Sequence, residues 1–244
     1  PLLIGTAVGT FFNGAMFKLD DMNRVTWGTS FRGLEAVLTF HNLALGLAVL
    51  FLSRILGLLY FMNSVDNQQI AERAKKGLLV NAVPFLVFFL YFVIALLFKD
   101  GFAYDPQTGV VSVASYKYLH NLLAMPLNTL MFLVGVVGVL WGIGSTILKG
   151  GNKGIWFAGG GTVLTVWALL ILAAFNNTCF YPSIFDMQSS LHIAKASSSR
   201  FTLVAMSYVS LFVPFVLAYI WYAWKSMNNK PLSTEELEQE HHAY

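Results

Sequence analysis

The stretch from Gly33 to Asn63, GLEAVLTFHNLALGLAVLFLSRILGLLYFMN, sets the terms on which the rest of the chain folds. About 20 apolar residues cross the hydrocarbon core of a bilayer, and this run is longer than that. It is not uniformly apolar. At about 100° per residue, Glu35, Thr39, Asn42, Gly46, Ser53, Gly57 and Tyr60 fall within roughly 40° of one line. Val37, Phe40, Ala44, Phe51, Ile55 and Leu58 take the other side. Lipid offers Glu35 and Asn42 no hydrogen-bond partner, so the polar and small stripe is expected to face protein, as one wall of a helical bundle. Arg54 lies off the stripe. It is expected to snorkel to the nearer interface or pair within the bundle, the sharper alternative being a pathway residue or a partner for a cofactor propionate. His41, near the helix end, is read as a hydrogen-bonding interface residue rather than a metal or haem ligand.

Composition fixes the class. With 57% hydrophobic and 11% charged residues and a mean hydropathy of +0.64, the chain is an integral membrane protein and not a soluble domain. The formal charge of +3 is spread over loops and implies no nucleic-acid partner. Cys179 is the one cysteine, so neither a disulfide nor a thiolate metal site forms within the chain. The sequence opens at Pro1 inside an apolar run with no charged leader, and the expectation is a piece of a longer protein.

The expected fold is all-α and polytopic: about six transmembrane helices forming a bundle plus a peripheral helix. The spans are about 1–16, 34–63, 78–98, 120–148, 154–175 and 201–224, within a membrane region 1–228 followed by a polar tail, 229–244. Pro84, Pro126 and Pro214 lie in or near three spans, which bundle packing tolerates. Gly135, Gly138, Gly142 and Ser145 share one side, and Gly159 to Gly161 are read as packing glycines, not a phosphate loop. Raw counts of Lys and Arg tie between the two sides. Arg73, Lys75, Lys76, Lys149 and Lys153 crowd the two short connections, so that side and the tail are expected in the cytoplasm. In the tail, Ser233 to Glu236 forms a capping box, and His241 and His242 are read as idle, solvated imidazoles. Asn176-Asn177-Thr178 fits the glycosylation pattern but abuts a membrane end and is read as a chance match.

No nucleophile-and-base motif stands out. Glu35, His41 and His120 are scattered over different segments and make no metal set. Asn81 with Pro84, and Asn128 after Pro126, are weak versions of the broken polar helices of transporters. A polytopic transporter of unknown solute is therefore the alternative function. The intramembrane polar candidates are Glu35, Thr39, His41, Asn42, Arg54, Asn81 and Asn128, each expected to serve packing or a partner contact, with no catalytic and no metal-binding residue assigned.

An ordered set of motifs carries more. PLLIGTAVGTFFNG precedes RGLEAVLTFHNLALG; later come Tyr181-Pro182-Ser183, SLHIAKASSSRFTL from Ser190 to Leu203, Val213-Pro214, YIWYAWK from Tyr219 to Lys225, and the tail LSTEELE with a closing Tyr244. In this order and spacing the chain resembles subunit II of bacterial cytochrome bd-type quinol oxidases, over roughly the C-terminal two-thirds of such a protein. The resemblance implies a complex that oxidises membrane quinol, reduces dioxygen to water and builds a proton-motive force. It implies a multi-pass protein of the bacterial inner membrane, partnered by subunit I, which carries haem b and haem d. Subunit II would ligate none of them, would support the oxygen route, and in some members holds a structural quinone. A small accessory subunit, the quinol type and the haem complement stay open. Two departures matter. The acidic, glycine-rich motif of the family's first helix is not in this sequence, so its proton and oxygen residues have no counterpart here. Where many members have Asn-Pro, this chain has His41-Asn42, which puts the local helix geometry in question.

Overall fold

The computed structural model describes residues 1–65 and 67–227. The tail 229–244, with its capping box and its two histidines, lies outside the described residues. Among the described residues five helical stretches are long and apolar enough to span a membrane: α2 (Phe40–Ser64), α3 (Gln68–Leu97), α5 (Pro126–Lys149), α6 (Gly154–Ala174) and the pair α8–α9 (Arg200–Ser210 and Val213–Met227). Helix α1, Leu2–Asn13, is apolar but short. The protein is an all-α polytopic membrane protein.

Helices α2 and α3 form one antiparallel hairpin, α5 and α6 a second, and α1 lies along the first half of α2. The hairpins meet over Ala48, Ile55, Leu59, Leu78, Ala82, Phe85, Val139, Ile143 and Ala158. At one end both hairpins close in turns of a few residues. At the other, three longer connections build a cap from three antiparallel ribbons: β1–β2 (Phe17–Leu19, Val25–Trp27), β3–β4 (Gly101–Tyr104, Val111–Ala114) and β5–β6 (Cys179–Tyr181, Leu191–His192). The ribbons are stitched together rather than merely adjacent. Ala15 N–H donates to the Pro182 carbonyl (3.1 Å) and Ile184 N–H returns to the Ala15 carbonyl (3.1 Å). The Gln188 amide both accepts from and donates to the backbone of Val111, at 3.0 and 2.9 Å. Gly14 has φ +77 and faces the Pro182 carbonyl so closely that a Cβ there would collide with it.

The breaks in the helices have local causes, and several of them depart from the expected spans. The segment 34–63 is two pieces. Arg32 and Gly33 take positive φ (49 and 98), a 3-10 turn follows over Leu34–Leu38, and Thr39 is extended before α2 begins. Glu35 and Thr39 therefore do not continue the α2 stripe. The segment 120–148 is broken at Met125, whose φ −118 and ψ 75 are those of a residue held out of the helical region by the following Pro126. The result is a short α4 (Lys117–Ala124) set beside α5. The Thr129 hydroxyl bonds back to the Leu122 carbonyl, which Pro126 leaves without its helical donor, and to the Met125 carbonyl, which also accepts from Thr129 N–H (3.0 Å). Residues 201–224 kink at Leu211–Phe212, ahead of Pro214. Between β6 and α8 lies a single turn, α7 (Ile193–Ala196). No residue of α8 or α9 is buried against the other described residues.

The two faces of α2 also differ from the expectation. Asn42 and Gly46 are buried, but Tyr60 is exposed and Gly57 faces open space. On the supposed outer side, Ala44 and Ile55 are fully buried. The reason is that α2 is packed on two sides, by α1 along Asn42, Leu45 and Gly46, and by α3 and α6 along Ala48, Ile55 and Leu59. Polarity alone marks only the first of these faces.

The α5–α6 seam is a backbone-on-backbone contact. A Cβ at Gly161 would stand 2.5 Å from the Gly135 carbonyl oxygen and 2.6 Å from Val139 N, and one at Gly142 would stand 2.6 Å from the Gly154 carbonyl oxygen. Gly159 and Gly160 meet nothing within 4 Å, so of the three consecutive glycines only Gly161 packs. Gly161→Ala is expected to destabilise the detergent-solubilised protein by about 1–3 kcal/mol through overpacking. Gly160→Ala should change it by less than about 0.5 kcal/mol. Thermal unfolding of the two variants side by side checks the difference; equal losses would contradict the seam.

Candidate functional site

Helices α1, α2 and α3 converge where they enter the cap, and their polar residues meet there. Helices α1 and α2 approach closely because Gly5 lies on Gly46 and Val49, and Gly9 lies on Asn42. That crossing delivers Asn13, the last residue of α1, onto the first turn of α2. The Asn13 amide nitrogen bonds to His41 Nδ1 (2.9 Å) and donates to the Asn42 side-chain oxygen. The Asn13 amide oxygen accepts from the Lys99 ammonium, just past the end of α3. Asn42 is fully buried, and the His41 ring lies 4.6 Å from the ring of Phe92. Beside this joint His41 Nε2 and Glu35 Oε1 are buried without a hydrogen-bond partner among the described residues, as are Thr29 Oγ1 and His192 Nδ1 elsewhere in the cap. The other Glu35 oxygen accepts from Gly33 N–H at 2.9 Å, which ties the 3-10 turn to the bend before it.

The electrostatics of the cap side follow from burial. Lys99 is held below the ordinary lysine value of 10.5, because burial disfavours the ammonium; neighbouring Asp100 only partly restores it. The Tyr181 hydroxyl is pushed up by burial, held back by its bond with Thr10 and raised again by Glu35. Cys179 is fully buried, and burial pushes its thiol up to about 11, so it is a packing residue and not a nucleophile.

A second polar network sits where α4, α6 and the β5 ribbon join. The Asn121 amide donates to the Leu172 carbonyl (3.1 Å) and to the Thr178 hydroxyl (2.7 Å), and its oxygen accepts from Asn176 (3.0 Å). Asn176 is thereby tied down and Thr178 is fully buried, so the glycosylation pattern is a structural joint. Beside it the Tyr118 hydroxyl donates to the Phe12 carbonyl (3.3 Å), with the two rings edge to face at 5.5 Å.

Of the sequence candidates, the structure brings His41 and Asn42 together, and sets Glu35 in the turn that leads into them. Thr39 is exposed at the start of α2 and its side chain makes no cap. Arg54 is exposed on the outer face of α2. Asn81 donates to the carbonyl of Gly77 in its own helix (2.6 Å), and Asn128 donates to the Ala168 carbonyl across the α5–α6 seam (3.1 Å). Asn128 lies in the first turn of α5 at the cap end and Asn81 near the middle of α3, and no bond joins them. Asn13, Lys99, Asn121 and Tyr118 were not among the candidates. The available signal was small: an amide at the end of an apolar run next to glycine, and a lysine at the end of another.

Between the two hairpins lies an apolar cavity of about 90 Å³, with Val49, Phe89, Val139, Leu140 and Leu169 among its walls. Its two hydroxyls, Thr162 and Thr165, donate to the Ala158 and Gly161 carbonyls of their own helix. No free donor is left there to orient a quinone ring. Among the described residues no three His, Cys, Asp or Glu side chains converge as a metal-ligand set.

The sequence model of the family described as "Cytochrome bd terminal oxidase subunit II" matches residues 1–227. No curated protein matches the chain.

Asn42→Leu removes the amide that receives Asn13. It is expected to lower stability by about 1 kcal/mol for the lost interhelical bond, read as a lower thermal midpoint in detergent. Lys99 supplies a pH test. Its folded value lies below 10.5, so between the two values the unfolded chain binds more protons and stability rises with pH. Midpoints measured as the pH is raised towards 10.5 should climb in the parent relative to Lys99→Met; parallel curves would contradict the burial of the ammonium.

Proposed function

This chain belongs to the cytochrome bd terminal oxidase subunit II family, and from that membership we propose that it is the subunit without haem ligands of a membrane quinol:oxygen oxidoreductase. The match over residues 1–227 is the observation that carries the reading. In the reaction proposed, two quinols give up four electrons to one dioxygen, yielding two waters. Haem b and haem d, held by subunit I, supply the electron transfer and the oxygen chemistry.

The part assigned to this chain is structural and electrostatic. The glycine-sealed α5–α6 hairpin, packed on α2–α3 through aliphatic side chains, gives a continuous apolar wall. The joint of Asn13, His41, Asn42 and Lys99 fixes the helix ends beneath the cap. The turn before α2 presents Phe31, Leu34, Leu38 and Phe40 as exposed apolar groups, which suit contact with a second membrane subunit. The short-turn end carries Arg73, Lys75, Lys76, Lys149 and Lys153. By the positive-inside rule that end and the tail face the cytoplasm, and the cap faces out. Protons consumed in water formation are then drawn from the basic side.

Affinity purification of the full-length protein from its own membranes tests the assignment. A haem-bearing subunit is expected to co-purify, and deletion of the chain should abolish quinol-dependent oxygen uptake and alter the haem difference spectra of the membrane. Purification free of haem protein, with spectra and oxygen uptake unchanged by deletion, would overturn it.

A further inference from the structure

The short-turn end of the bundle carries more positive charge than its own carboxylates balance. The described residues there include Arg54, Arg73, Lys75, Lys76, Lys149 and Lys153, against the single carboxylate Glu72, which itself accepts from Gln68 (3.2 Å). Among the described residues the ion pair found is Arg24–Asp20, in the cap. Arg54, Arg73 and Lys76 are exposed and have no hydrogen-bond or ion-pair partner among the described residues.

These three cations are not scattered. Helices α2 and α3 meet at Leu58 and Gly77, where a Cβ on the glycine would stand 3.2 Å from the leucine side chain. Arg54 shares a face of α2 with Leu58, one turn and about 6 Å further into the membrane. Arg73 shares a face of α3 with Gly77, one turn towards water, and Lys76 flanks it. The arginines thus bracket the point where the polar first turns of α3, Gln68 to Lys76, give way to its apolar run. That is the depth of lipid headgroups. Above it the same flank of α3 continues as exposed Val80, Val83 and Val87, an apolar track.

We propose that the outer seam of α2 and α3 at Leu58 and Gly77 seats an anionic phospholipid, its phosphate held between Arg54 on the membrane side and Arg73 with Lys76 on the water side. A guanidinium one turn inside hydrocarbon is stable when it can reach a phosphate, and a cluster of cations at this depth favours a lipid with net negative charge over a zwitterionic one. The acyl chain runs along Val80 and Val87. This goes beyond the oxidase assignment and does not depend on it, since haem content is read separately.

The test uses the full-length protein in its membrane complex, reconstituted in nanodiscs with headgroup-diazirine phosphatidylglycerol or the matching phosphatidylcholine. After photolysis, phosphatidylglycerol adducts should concentrate on peptides spanning residues 54–61 and 73–80 and exceed those of phosphatidylcholine. Arg54→Gln and Arg73→Gln should each reduce them about fivefold, the equivalent of about 1 kcal/mol per basic residue at an anionic surface, whereas Arg54→Lys retains most of the labelling. If Arg54→Gln does not accumulate, Arg73→Gln, on the solvated first turns of α3, makes the same comparison. Equal labelling by the two lipids, labelling indifferent to both substitutions, or adducts displaced by a partner helix whose carboxylate meets Arg54 would overturn the proposal.

Discussion

A buried amide inside hydrocarbon has no water to turn to, and the helices that carry this protein's buried asparagines are placed so that each amide finds a partner. Asn42, Asn81, Asn121 and Asn128 are all buried, and each bonds another amide, a hydroxyl or a backbone carbonyl. The bonds between elements lie at or near the cap, where Asn13 links α1 to α2 and reaches the lysine after α3, and Asn121 links α4 to α6 and β5. Towards the opposite end the means are different. There, glycine on glycine brings α5 against α6, and aliphatic side chains fill the space between hairpins. One end is fixed by directional bonds and the other by close packing.

That division bears on function. In the role proposed, the chain has to hold its shape beside a haem-bearing subunit, and directional bonds at the cap fix the angles at which α1, α2 and α3 leave the membrane. Beside the same joint lie two of the five buried polar atoms without a hydrogen-bond partner among the described residues, Glu35 Oε1 and His41 Nε2. The opposite end carries the surplus of positive charge, which in the proposed orientation faces the cytoplasm and meets anionic headgroups.

Much of this was legible in the residues. Length and apolarity identify the long helices, and Asn42 and Gly46 mark the face of α2 that meets α1. Pro126 announces the break between α4 and α5. Other features were hidden for physical reasons. A helix packed on two sides shows polarity on only one of them, so Ala44 and Ile55 read as outward although both are fully buried. Gly33 is visible as a glycine, but its φ of +98, and the 3-10 turn it starts, depend on the cap above it. The cap itself consists of ribbons two to four residues long, below the length at which alternation is a signal. Asn13 and Lys99 sit at segment ends, where water is the natural expectation, and only tertiary structure turns them inward.

Which side of α2 is shielded from lipid decides the architecture, and this is measured most directly by a small carbene precursor dissolved in the acyl-chain region of the native membrane. After photolysis and mass spectrometry, label should fall on Arg54, Tyr60 and Phe61, and be absent from Asn42, Gly46, Ile55 and Leu59. Label on Asn42 and Gly46 would mean that α1 does not cover them, and the joint at the cap would have no basis.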